Sequence, residues 1–136
     1  MLVLGQKERC GDWAKAKIPG VQSWGEWYEA IGWEKDGELQ AVAIFDHYSG
    51  PDISIHVAAV PGRRWMTREA LRTVFRYPFN QLGVHRVTGC IASRNKDAVR
   101  LNLHLGFTLE GVKRQGSHDG DDMLILGMLK EECRWL

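Results

Sequence analysis

The chain has 136 residues, slightly less than one domain at roughly 150 residues each, so a single domain over residues 1–136 is expected. That length buries roughly two thirds of the unfolded surface without help from disulfides or metal. A hydrophobic share of 44%, a charged share of 26% and a net charge of +1, from 18 basic and 17 acidic side chains, exclude disorder and any global attraction to nucleic acid or anionic membrane. The longest nearly uninterrupted apolar run, residues 123–129, falls far below the roughly 20 residues of a spanning helix, so no membrane partner is expected. The apolar residues 1–4 are too few for a signal peptide, which makes the cytoplasm the expected location. Cys10, Cys90 and Cys133 are odd in number and widely spaced, a pattern of reduced thiols with no metal or disulfide framework.

In chain order, residues 2–4 read as a short edge strand and 8–17 as a short helix before the Pro19-Gly20 break. Residues 30–35 and 39–48 are apolar-rich runs joined by Asp36-Gly37, a strong hairpin signal. Residues 52–60 form the next strand, in which Ile53, Ile55 and Val57 alternate with Asp52, Ser54 and His56. A helix follows from about Thr67, with Leu71, Val74 and Phe75 at core spacing; Pro78 should interrupt it with a kink or a second turn through Leu82, and Gly83 end it. Residues 84–92 read as a strand, and Asn95 as the N-cap of a helix over 96–105 that stops at Gly106. Two antiparallel strands, 107–113 and 123–129, close the chain. A helical crossover between the strands at 52–60 and 84–92 makes those two parallel.

Several stretches carry a resemblance. Asn95-Lys96-Asp97-Ala98, followed by Gly106-Phe107 and Glu110-Gly111, with Glu69-Ala70-Leu71 and the run from Phe79 to Val87 upstream, is similar to the GNAT superfamily of acyl-CoA-dependent N-acetyltransferases. The likeness is to the branch that acetylates N-termini of ribosomal proteins, and it covers about residues 52–129. The tail, residues 131–136, also resembles that of short phage-encoded members. The resemblance implies an α/β (α+β) fold: a mixed, mostly antiparallel sheet of about six or seven strands, flanked by helices and splayed at its parallel fourth and fifth strands. It further implies that the pantetheine arm of acetyl-CoA enters that gap and pairs with the fourth strand's backbone, at Val57 and Ala59, and that the pyrophosphate rests on the following loop and helix. An amine-bearing small molecule, protein or peptide arrives from the other side as acceptor, and a homodimer is compatible with the family. In relatives the residue at Asn95 also lies close to the cofactor.

The expected pyrophosphate loop contains inner glycines, whereas this chain has Arg63-Arg64-Trp65-Met66-Thr67-Arg68 there. Side chains in that loop crowd the close approach of main-chain N–H groups to phosphate oxygens. Arg63, Arg64 and Arg68 surround a helix start, where each cation is unfavourable by about 0.3–1 kcal/mol until an anion arrives. Guanidinium groups can then stand in for the glycine-loop contacts; the alternative is a solvated basic edge.

For chemistry, His56 is the candidate general base, since histidine titrates near neutrality; a structural histidine is the competing reading. Ser54 and His56 are not a nucleophile pair, because residues two apart on a strand lie about 7 Å apart and parallel. The position where many relatives carry a tyrosine proton donor is Asn102. Arg68, Arg72 and Arg76 form a basic stripe that contacts nucleic-acid phosphates or faces solvent. Residues 118–122 look like a turn and lack a calcium loop's spacing. Trp24, Trp27 and Trp33 line either an acceptor pocket or the core. The expected function is acyl transfer from acyl-CoA to a primary amine. The alternatives are a phage-type enzyme modifying nucleic-acid bases and a non-catalytic virion or binding protein that keeps the fold.

Overall fold

Alternating runs become strands and the 3.6-residue patterns become helices. The computed structural model describes residues 1–62 and 64–136. In chain order these form β1 (Leu2–Val3), α1 (Lys7–Lys17), β2 (Tyr28–Lys35), β3 (Glu38–Asp46), β4 (Asp52–Ala59), α2 (Arg68–Arg76), β5 (Arg86–Ala92), α3 (Lys96–Leu105), β6 (Thr108–Lys113) and β7 (Met123–Leu129). One sheet holds these seven strands in the order β1-β2-β3-β4-β5-β7-β6. The β4–β5 pair is parallel, and every other neighbouring pair is antiparallel. This is the mixed, mostly antiparallel sheet that the sequence leads one to expect.

Asp36 and Gly37 both take positive φ, 54° and 81°, as a tight two-residue hairpin between β2 and β3 requires. β3 stops at Asp46, two residues earlier than its apolar pattern suggests, because His47 turns to φ 53° and leaves the ladder. Of the two outcomes expected at Pro78, the second turn forms: the chain passes from α2 directly into a wider π-type turn, Tyr77–Leu82, that holds Pro78 in its first turn and ends at Gly83. Thr67 caps α2, its side chain accepting from the N–H of Ala70.

The sheet buries both faces. On one, Phe45, Ile53, Val87, Leu126 and Met128 pack against Leu71, Val74, Phe75 and Phe79 of α2 and its continuation. On the other, Val42, Ile44 and Ala58 pack against Cys10 and Ala14 of α1 and against Trp24. Fully burying one such large apolar side chain stabilises the fold by about 1.5–3 kcal/mol. α3 contributes no fully buried residue. Asn95 caps its start on the N–H of Ala98, and at its end the guanidinium of Arg134 donates to the carbonyl of His104 while Trp135 Nε1 donates to that of Leu105 at 2.9 Å.

Candidate active site

β4 and β5 pair only at Asp52↔Arg86, Ile53↔Val87 and Ser54↔Thr88. Beyond Ser54, β4 stays paired with β3 on one side, and beyond Thr88, β5 stays paired with β7, but nothing joins the two strands across the middle. The sheet therefore parts into a V that opens toward the ends of β4 and β5. The N–H of Val60 donates to Gln40 in the direction of β3. Alternation along the strand then turns the N–H and C=O groups of Val57 and Ala59 into the gap. Both residues are exposed, Val57 at 45% although it continues the buried Ile53–Ile55 face.

His56 lies on the opposite face of the splayed part of β4. Its Nε2 is 2.8 Å from Oδ1 of Asp46, which sits two positions along β3 from Ile44, the residue directly paired with His56. Asp46 is 4% exposed and also has His47 Nδ1 at 3.1 Å. Burial alone pushes a carboxyl group up; the hydrogen bonds and charges of His56 and then His47 outweigh it and hold Asp46 below its ordinary value. The Trp24 ring lies 5.3 Å from the His56 ring and is fixed by its own Nε1–H to the Gly11 carbonyl. Nothing in the sequence singled out Asp46. It stands ten residues before His56, across a turn, and the pair becomes visible only once the β3–β4 register is known.

At the vertex of the V, Thr88 donates to Asp52 at 2.8 Å and receives Arg86 Nε at 3.1 Å, while Arg86 forks onto both oxygens of Glu110 at 3.3 and 2.5 Å. The Glu110 hydrogen bond raises the Arg86 guanidinium further above its ordinary value, against the opposing effect of burial. This ion pair lies flat over Gly127, where a Cβ would come within 2.6 Å of both Glu110 oxygens.

The connection between α1 and β2 meets the loop 114–122. Gly20, at φ 86°, lies so close to His118 that a Cβ there would sit 2.8 Å from His118 Cγ. The acidic run in that loop is structural. Asp121 accepts from the Ser93 hydroxyl at 3.0 Å and the Arg94 N–H at 2.9 Å, Asp119 pairs with Arg94, and Asp122 accepts from the Gln115 N–H. The backbone bond from Arg94, then those from Asp122 and Ser93, hold Asp121 below its ordinary value. Among the described residues no group of three or more His, Cys, Asp or Glu comes together as a metal site.

The remaining nominated residues divide. Arg63 lies outside the described residues. Arg64, Thr67 and Arg68 are exposed and Trp65 and Met66 half-buried. The three tryptophans go to three places: Trp24 against His56, Trp27 beside Tyr48, and Trp33 on the other face of the sheet, 5.8 Å from Trp65 of the loop after β4. Asn102 turns back to donate to the Ala98 carbonyl at 2.8 Å. Tyr77 packs edge-on against Phe45, and burial pushes its hydroxyl up.

A mostly antiparallel seven-stranded sheet that parts between its one parallel pair, with helices on both faces, is the fold of the GNAT acetyltransferases. Among solved structures, a chimera of spermidine N-acetyltransferase SpeG from Vibrio cholerae and hSSAT aligns over 96% of this chain and 95% of its own, with a TM-score of 0.76 at 14% identity. A protein described as a probable acetyltransferase aligns over 77% of this chain with a TM-score of 0.68 at 22% identity; this chain spans 63% of its length. Ribosomal-protein-S5-alanine acetyltransferase from Vibrio fischeri gives a TM-score of 0.64 at 14% identity, over 79% of this chain and 63% of its own. At these identities the likeness is one of fold. No protein-family model and no curated protein matches the chain.

Proposed function

We propose that the chain is a one-domain acyltransferase that moves an acetyl or similar acyl group from acyl-CoA to a primary amine by direct transfer. The observation that carries this reading is the gap between β4 and β5, with the backbone of Val57 and Ala59 turned into it and left without a strand partner. An extended chain of amides, which is what a pantetheine arm is, satisfies such an edge as a further strand would. Arg64 and Arg68, with Arg63, suit the anionic linker of the nucleotide. Neither Arg64 nor Arg68 has a carboxylate within 4.0 Å among the described residues. Thr67 already occupies the Ala70 N–H, so the α2 end offers the linker the N–H groups of Arg68 and Glu69. Asn95 serves α3 as a cap and follows the end of β5, the strand that forms the second side of the gap.

Acetyl-CoA supplies the activated acyl group: the amine nitrogen bonds to the acyl carbon, the C–S bond breaks, and CoA leaves as a thiolate that takes its proton from solvent, since Asn102 offers no acid. On the opposite face His56 takes the proton of the incoming amine, directly or through water. Asp46 holds the ring through Nε2, which leaves Nδ1 to accept that proton, and it steadies the imidazolium that results. Trp24 keeps the ring in place and limits its contact with water. The names of the similar structures, spermidine and ribosomal-protein acetyltransferases, both denote amine acceptors, which supports an amine-bearing acceptor here.

Thermal melting with acetyl-CoA tests the reading: ligand at 100 times its dissociation constant adds about 2.7 kcal/mol of stability. A melting temperature unmoved at millimolar acetyl-CoA refutes it. For the base, the rate of His56→Gln against pH should lose the limb that reports a neutral imidazole; an unchanged profile removes His56 from the mechanism.

A further inference from the structure

The face of the sheet that carries His56 is covered only in part. α1 packs on β2, β3 and β4, and the apolar cluster beneath it draws on none of β5, β6 or β7 among the described residues. The hydrogen bond from Thr88 to Asp52 fixes which side chains of β5 share that face: Arg86, Thr88 and Cys90. Gly127 and Ile125 of β7 are paired beside Thr88 and Cys90, and Met123 beside Ala92. Cys90 stands two residues beyond Thr88, as His56 stands two beyond the partner of Thr88, Ser54, so the two flank the gap at one level. We propose that the acceptor lying along this strip is a monoamine with an uncharged, apolar body, and that a second ammonium group is selected against. This rests on the acyl-CoA reading and adds to it the class of acceptor.

The charges on this part of the sheet point that way. Its three carboxylates all have partners within the chain. Asp46 has His56 at 2.8 Å and His47 at 3.1 Å, Asp52 accepts from Thr88 at 2.8 Å with Arg86 Nε at 3.6 Å, and Glu110 holds the fork of Arg86. None is left to receive an ammonium group remote from the reacting nitrogen. Lys113, paired with Met123 at the outer edge, has no carboxylate within 4.0 Å among the described residues, and its charge repels another cation. Cys90, Ala92, Met123 and Ile125 are half-buried and offer an apolar floor. An ammonium group laid on that floor gives up water and gains no charge-assisted hydrogen bond, whereas a hydrocarbon body removes apolar surface from water on both sides. Discrimination therefore comes from what the floor withholds as well as from what it covers.

Heptylamine and 1,6-diaminohexane have nearly the same length and differ in one end group, methyl against ammonium, so the release of CoA thiol with each tests the assignment. In the full chain kcat/KM should be about tenfold or more higher for heptylamine. Ile125→Glu places a carboxylate on the floor and should shift the ratio by about tenfold toward the diamine. Arg86→Ala, which releases Glu110 and Asp52 from the guanidinium, should shift it in the same direction. The rise in melting temperature with acetyl-CoA shows that each variant is folded and takes the donor. Equal kcat/KM for the two amines in the wild type, or a preference for the diamine, overturns the inference and leaves the acyl-CoA reading standing. So does a ratio that neither folded variant moves. Heptylamine left unmodified by a protein that acetyl-CoA stabilises overturns the inference alone, whereas a melting temperature that acetyl-CoA does not move overturns both. A tetrapeptide amide of apolar residues with one amino group separates two sources of the same chemistry. Faster turnover of the peptide than of heptylamine upholds the class and assigns the amine to a chain end; the reverse upholds it and assigns a small molecule.

Discussion

Replacing Asp46 by Asn separates charge from shape in the pair with His56. Asparagine preserves the volume and an acceptor oxygen at the position of Oδ1, so the 2.8 Å bond to Nε2 can persist while the negative charge disappears. A hydrogen bond involving a charged group contributes about 1.5–3 kcal/mol and a neutral one about 1. The His47 side chain is 79% exposed, so its share is small. The expected loss at pH 7 is therefore about 0.5–2 kcal/mol, or roughly 2–7 °C in melting temperature for a chain of this size. Because the native pKa of Asp46 is depressed, the unfolded state binds more protons between the two values. The stability from this carboxylate is complete above the unfolded value of about 4 and is lost as pH falls through the lower native one. Calorimetric melts of both proteins from pH 7 to pH 3 should show the difference shrink below about pH 4. A difference that stays constant over this range, or is absent at pH 7, refutes the assignment of a charged, His56-bonded Asp46.

Three further outcomes are expected. Gly127→Ala should push Arg86 off Glu110, costing about 1–3 kcal/mol in urea melts, and the cost should vanish in an Arg86→Ala background; equal cost in both backgrounds would point to the strand instead. Gly20→Ala should cost more than Gly25→Ala, because both have φ near 85° but only residue 20 faces a neighbour, His118. Limited proteolysis of the loop 114–122 should accelerate only in the first; equal acceleration in both would dissolve the bridge to His118. Cys10 is fully buried and burial raises its thiol, so it should resist a disulfide reagent in the native state while Cys90 reacts. Similar rates for the two would contradict that burial.

Local signals account for most of what was legible beforehand. Asp36-Gly37 set a hairpin because few other pairs accept two positive φ angles, and Asn95 and Gly106 bracket α3 because capping is decided within a turn. The alternation through Ile53 and Ile55 placed His56 on the face opposite the α2 side. What escaped depends on distance along the chain. Asp46 reads as the end of a strand until β4 is laid beside it, and Gly20 reads as a turn until His118 is brought against it. At Pro78 the sequence left a kink or a second turn through Leu82 open, because the proline ring fixes only its own backbone, and the wider turn Tyr77–Leu82 is the one that forms. That Thr67, in the stretch matched to the pyrophosphate loop, also caps α2 was not read from the sequence.

α3 is fastened by its two ends more than along its flank, and that has a consequence for motion. With no wholly buried side chain, its amides should exchange with solvent through local opening well before those of the central strands. The fastening at its far end is made by Arg134 and Trp135. Anything that steadies the indole from outside therefore slows exchange along the whole helix, so occupancy at the surface would be legible as protection in amides it never touches.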